Sequence, residues 1–233
     1  MRRTSLLRIS LTLNPLSLTV LVSGWLGRDV KTSFNPEVSL PVIAATATVH
    51  PLAAVTGSVT LGERVYVAPC ASVRADEGQN IYIGDESNVQ DAVVLHGLET
   101  FEGGHELLEN EVEVNGRRYS VYVGRRVSLS HQSQVHGPAK VGDDVFVGMQ
   151  SLVFRAEIGN RVVVEPGAKI IGVEIPNGRY VPALSIITKQ SDADALPEIT
   201  EQYPYARLNE GVIHVNTQLA DPSSRALRLG AHR

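Results

Sequence analysis

The chain has little sulfur and few large side chains. Its 233 residues include one cysteine, Cys70, so no intrachain disulfide can form and zinc sites built from several thiolates are excluded. Aromatic residues make up 5% of the chain, with one tryptophan, so the core must be built from small and β-branched side chains. That composition suits thin, repetitive strands better than a bulky sandwich. A dominant charge is also lacking. Lys and Arg total 21 against 25 Asp and Glu, and the net charge of −4 carries no nucleic-acid footprint.

Residues 1–24 differ from the rest. Arg2, Arg3 and Arg8 precede a mostly apolar run, 9–22, followed by Ser23-Gly24. Basic, apolar, then small is the order of a secretory signal. Asn14 and Pro15 interrupt the run, which is too short to span a membrane. A signal implies a secreted or periplasmic protein; a disordered leader or misplaced start leaves it cytoplasmic.

What is abundant is a six-residue repeat. Branched aliphatics recur at Val55, Leu61, Val67 and Val73; at Ile83, Val89 and Leu95; and at Val123, Leu129, Val135, Val141, Val147 and Val153. The phase then slips by five to Ile158, Val164 and Ile170, and by five again to Ile175, Val181 and Ile187. A helix with this period would smear its apolar stripe around the cylinder. Six residues suit a short strand plus a turn, and three such units close one triangular coil of a parallel β-helix. Glycine follows Leu61, Ile83, Val123, Val141, Val147 and Ile158, and the expectation is that glycines serve corners needing positive φ.

The fold class is therefore all-β with a C-terminal helix. The β-helix domain covers 25–190, after the leader at 1–24. Between Leu95 and Val123 the repeat stops. Glutamates crowd 99–113, and Asn115-Gly116 marks a hairpin over 111–122, so 99–122 is an excursion from the coil. The segment 191–233 is helical and then a tail. Ser191 caps a short turn there, and 205–220 is the long helix.

Three of seven histidines belong to the repeat. His96 follows Leu95, His136 follows Val135, and His131 lies two after Leu129. Leu95 and Val135 are each third in their coil. If the excursion preserves phase, His96 and His136 share a face, one rung apart, and can share a metal. His131 lies around a corner, turned by about 120°. A three-histidine site is most easily closed by His131 of another subunit, which predicts a symmetric trimer with a metal at each interface. Three imidazoles with an open position form the catalytic type of Zn2+ site and also suit Fe2+ or Co2+. His50, His105, His214 and His232 have no such placement and are assigned to the surface.

At these residues the sequence resembles the γ-class carbonic anhydrases, in particular the subclass of methanogenic archaea. The resemblance rests on Arg74-Ala75-Asp76-Glu77-Gly78, Ser87-Asn88-Val89-Gln90-Asp91, Val93-Val94-Leu95-His96, Leu98-Glu99-Thr100, Ser130-His131-Gln132-Ser133-Gln134-Val135-His136-Gly137-Pro138, Val141-Gly142-Asp143-Asp144, Gly148-Met149-Gln150, Ile175-Pro176-Asn177-Gly178-Arg179-Tyr180 and Val215-Asn216, and covers about residues 28–220. It implies a left-handed β-helix homotrimer. Its metal ligands would be His96 and His136 of one subunit and His131 of the next. It implies a metal-bound hydroxide that hydrates CO2 reversibly to bicarbonate and a proton. By the same resemblance, Glu77 lies beside the metal water, Glu99 shuttles protons, Gln90 hydrogen-bonds the hydroxide, and Asn216 helps position CO2. Asn88 and Asp91 support the site, and Arg74 with Asp76 forms an intersubunit ion pair. The acidic loop has its own spacing, and His214 stands where the family usually carries an aromatic hydroxyl. The competing functions are a hexapeptide-repeat acyltransferase and a non-catalytic β-helix scaffold.

Overall fold

The computed structural model describes residues 25–221; the leader and most of the tail lie outside the described residues. Three parallel sheets of eight, seven and seven strands wind into a three-sided prism of about eight turns. The histidine-bearing sheet runs from Trp25–Gly27 through Val94–His96 and Gln134–His136 to Ile186–Ile187. Pairing follows the repeat: Ile83 sits opposite Val123, Val89 opposite Leu129, and Leu95 opposite Val135. Every aliphatic named in the repeat is buried, Ile187 being the most exposed at 8%. Each buried valine or leucine side chain contributes about 1.5–3 kcal/mol, so this axial stack dominates stability.

The five-residue slips shorten the rungs. Val135 pairs with Val153, 18 residues on, whereas Val153 pairs with Ile170, 17 residues on. One rung precedes the repeat, with Leu26 opposite Val55. The long connection between Trp25–Gly27 and Val42–Ile43 hides it from a six-residue period.

The corners correct the expectation about glycine. Positive φ is carried mostly by other residues, including Arg64, Glu86, Arg126, Asp144 and Arg161. Four of these side chains pair between rungs: Arg64 with Glu86, Arg126 Nη1 with Glu86 at 3.2 Å, and Arg126 Nε with Asp144 at 2.7 Å. Such contacts offset a left-handed cost of about 1–2 kcal/mol per residue. The repeat glycines instead solve a spacing problem. A Cβ on Gly84 would lie 2.6 Å from the Gly124 carbonyl oxygen, and one on Gly159 would lie 2.6 Å from Asn177 Oδ1. Side-chain oxygens occupy that space to accept backbone N–H groups, as Asn177 Oδ1 does from Asn160 at 2.6 Å.

The excursion contains two small hairpins. Phe101–Glu102 pairs with His105–Glu106, which the sequence reading did not anticipate. Val112–Val114 pairs with Arg117–Tyr119 around Asn115-Gly116, both at positive φ as that turn requires. This hairpin ends earlier than expected, because Val121–Val123 already belongs to the prism.

Helix α1 spans Gln190–Asp194, and its N-cap is Lys189 rather than Ser191. Helix α2 spans Leu208–Ala220, starting later than the sequence predicts. Residues 203–207 form turns, with the Tyr203 ring stacked on Tyr180 at 4.1 Å and its hydroxyl donating to Glu165 at 2.7 Å. Helix α2 packs against Tyr66–Val67, Asn88–Val89 and Ser128–Leu129, the sheet next to the histidine-bearing one. Among the described residues no helix is long and apolar enough to cross a membrane.

Candidate metal centre

His96 and His136 are direct partners across adjacent parallel strands, so the excursion returns in phase. His96 Nδ1 lies 3.4 Å from His136 Nε2. Two nitrogens bound to one tetrahedral zinc at about 2.0–2.1 Å lie about 3.4 Å apart, so this spacing fits a shared cation. The other nitrogen of His136 faces the Gly137 carbonyl at 3.3 Å, and that of His96 faces Asp76 Oδ1 at 3.1 Å and Glu77 Oε1 at 3.3 Å. Carboxylate and carbonyl partners of this kind fix an imidazole's tautomer and leave its second nitrogen available to a metal.

Asp76, Glu77 and His96 also offer ligand atoms within 4.8 Å of one another. Asp76 is at the same time neutralised by Arg74, whose Nη1 lies 2.9 Å from Asp76 Oδ2. Within one chain Arg74 reaches its own Asp76; the resemblance sets the pair across a subunit contact. Two-residue spacing puts both side chains on one side of the strand. Burial pushes the Glu77 carboxyl up; His96 opposes the rise, and Asp76 and Glu99 add to it.

His131 follows Ser128–Leu129 on the neighbouring sheet and joins no group of ligand atoms with His96 among the described residues. Its side chain is 53% exposed, and Asp91 Oδ2 holds its Nδ1 at 3.0 Å, which leaves Nε2 available. Beside it opens a largely apolar cavity of about 400 Å3 lined by Gln90, His131, Phe146, Met149 and Val212. Gln90 Nε2 donates to Asn88 Oδ1 at 2.9 Å, and Asn88 Nδ2 donates to Ser128 Oγ at 3.0 Å, so a hydrogen-bonded string aims the Gln90 amide. Asn216 is buried on α2, where its Nδ2 donates to the Val212 carbonyl at 2.9 Å. His214, on the same helix, is exposed and contacts Gln218 at 2.9 Å.

Glu99 stands where the chain leaves the prism. Its carbonyl accepts from Asn110 Nδ2 at 2.8 Å, and the next residue, Thr100, is fully buried. From sequence, Thr100 stood only as the end of the motif Leu98-Glu99-Thr100, with no role assigned, and Asn110 was not singled out. The available signal was their position: polar side chains at the break of the repeat, where the excursion must be fastened down.

No family model matches the chain. It is 56% identical over 191 residues to a carbonic anhydrase of Methanosarcina thermophila, covering 82% of this chain and 77% of that one. It is 44% identical over 171 residues to the carboxysome assembly protein CcmM of a Nostoc species, covering 73% of this chain but 29% of that protein. A hexapeptide transferase family protein of Anaplasma phagocytophilum has a similar structure, with a TM-score of 0.60 at 21% identity, covering 78% of this chain and 92% of that one. That likeness, at 21% identity, concerns the fold alone. The chain belongs to the γ-class carbonic anhydrases.

Proposed function

We propose that this protein catalyses the reversible hydration of CO2 to bicarbonate and a proton. The metal site would be built from His96 and His136 of one subunit and His131 of a neighbour in a homotrimer. One observation carries this reading: His96 and His136 face each other in register at 3.4 Å, while His131 lies around a corner. Neutral imidazoles suit Zn2+, Fe2+ or Co2+, with Zn2+ the reference assignment. When bound, such a cation acidifies water so that hydroxide is available near neutral pH.

The chain's own residues supply the rest. The apolar cavity beside His131 accommodates CO2, an uncharged and poorly hydrated molecule. Gln90, aimed by Asn88, offers a directed amide at its rim. Asn216, on the buried face of α2, donates to the carbonyl of Val212, which lines the cavity, and through it helps position CO2. Glu77, desolvated beside His96, takes up the released proton, and Glu99 on the adjacent loop passes it to buffer. Arg74 and Asp76 hold the His96 strand end.

An acyltransferase would use one histidine as a general base and would not need this arrangement of imidazoles. Anaerobic purification, metal analysis and a CO2 hydration assay on one sample test the proposal. About one divalent ion per chain with hydration activity supports it. Metal-free protein that turns over acetyl-CoA contradicts it. The basic-then-apolar order of residues 1–24 supports export, and sequencing the mature N terminus tests that.

A further inference from the structure

Glu77 and Glu99 belong to different parts of the chain, one at the end of a prism strand and the other at the mouth of the excursion. Their relative placement depends on what joins those two places. The join is Thr100, which has no exposed surface. Its hydroxyl accepts the Gln79 N–H at 2.7 Å and donates to the Glu77 carbonyl at 3.1 Å. Its backbone N–H donates to the same Glu77 carbonyl at 2.9 Å, and its carbonyl accepts from the Leu107 N–H at 2.8 Å. Between Glu77 and Gln79, Gly78 has φ +105°, and a Cβ there would strike Thr100 Oγ1 and Phe101. Asn110 holds the Glu99 carbonyl from the other side. The Glu99–Thr100 peptide is thus held at both its polar groups, its carbonyl by Asn110 and its N–H by the Glu77 carbonyl, and the second fastening grips the turn that carries Glu77.

We infer that Thr100 is a positioning residue for proton transfer: its buried hydroxyl clamps the Glu77–Gly78–Gln79 turn to the loop carrying Glu99. This deepens the CO2 hydration proposal and rests on it. Neither Thr100 nor Asn110 is an acid or base near neutral pH, so their removal should disturb the relay and spare the hydration step.

The test compares Thr100→Val, Thr100→Ser and Glu99→Ala in the metal-loaded full chain. Thr100→Val keeps the shape and deletes the hydroxyl, leaving the Gln79 N–H without its acceptor. It should lower kcat about tenfold in weak buffer, keep kcat/KM within about twofold, and recover with imidazole. Amide exchange at Gln79 should accelerate. Thr100→Ser, which retains the hydroxyl, should match wild type in both. Asn110→Ala, which frees the Glu99 carbonyl of the same peptide, should give the same kcat-only loss and serves if Thr100→Val does not fold. Wild-type kcat in weak buffer for either variant, beside a slow Glu99→Ala, overturns the inference. So does a joint fall of kcat, kcat/KM and metal content. A wild-type protein without CO2 hydration would refute the functional proposal instead, and unaltered Gln79 exchange in Thr100→Val would still refute the clamp.

Discussion

His96 and His136 are 40 residues apart in sequence, yet they face each other directly across two adjacent strands. The excursion between them leaves and rejoins the prism without shifting the register by a single residue. A one-residue slip would turn one imidazole to the opposite side of its strand and dismantle the pair. Because His131 sits on the neighbouring sheet, the proposed site takes its third imidazole from another copy. His131→Ala should therefore reduce bound metal from about one ion per chain to near zero. The β-rich circular dichroism of the prism should persist, because His131 lies outside the aliphatic stack. Metal analysis beside circular dichroism checks both halves.

Glu99→Ala should slow turnover in weak buffer and recover when imidazole is added, because a diffusible base replaces the lost carboxylate. The deficit expected of a positioned proton carrier is about 10²-fold or more. Stopped-flow hydration assays at low and high buffer concentration decide it. Equal rates to wild type in both buffers would remove Glu99 from the relay.

Two glycine substitutions should have opposite signs. Gly84→Ala places a methyl 2.6 Å from a backbone carbonyl on the next rung, which cannot move without breaking the ladder. Overpacking of this kind costs about 1–3 kcal/mol. Gly211, in the exposed part of α2, has no atoms within 4 Å of its added Cβ. Gly211→Ala should stabilise by about 0.5–1 kcal/mol through reduced backbone entropy. Denaturant unfolding of both variants measures the difference.

Glu111, at the foot of the second hairpin, has both carboxylate oxygens buried without a hydrogen bond, and Arg118 Nε approaches only to 3.7 Å. Burial pushes its carboxyl up, and Glu106 adds to the rise. The folded chain therefore binds this proton more tightly than the unfolded chain. The resulting stability is complete below the unfolded-state value and is lost as pH rises through the folded one. Glu111→Gln should raise the unfolding midpoint near about pH 7, and its advantage should shrink toward the ordinary glutamate value of 4.5. Thermal melts across that range test the sign. A constant difference would contradict it.

The sequence disclosed the prism because its core is one-dimensional: a side chain such as Val135 packs on its own equivalents one rung away, so the contact pattern is written as a period. The slip at Ile158 was likewise visible and corresponds to a shorter rung. The corners were misread because positive φ was assigned to glycine, whereas Arg126 and Glu86 tolerate it by pairing outward. The pairing of His96 with His136 followed from phase alone. The clamp at Thr100 did not, because its hydroxyl reaches Gln79 across a 21-residue separation that no period encodes. The hairpin at Phe101–Glu102 was hidden for the same reason, lying where the repeat is silent.

The proposed centre requires imidazoles from two chains to meet at one cation. Mixing two inert variants measures this directly. His131→Ala keeps an intact His96–His136 pair, and His136→Ala keeps an intact His131. Dissociated and reassembled together, they should recover metal binding and CO2 hydration at the mixed interfaces, while each alone stays inactive. If the co-assembled mixture remained as inert and metal-free as its parents, the shared site would be contradicted.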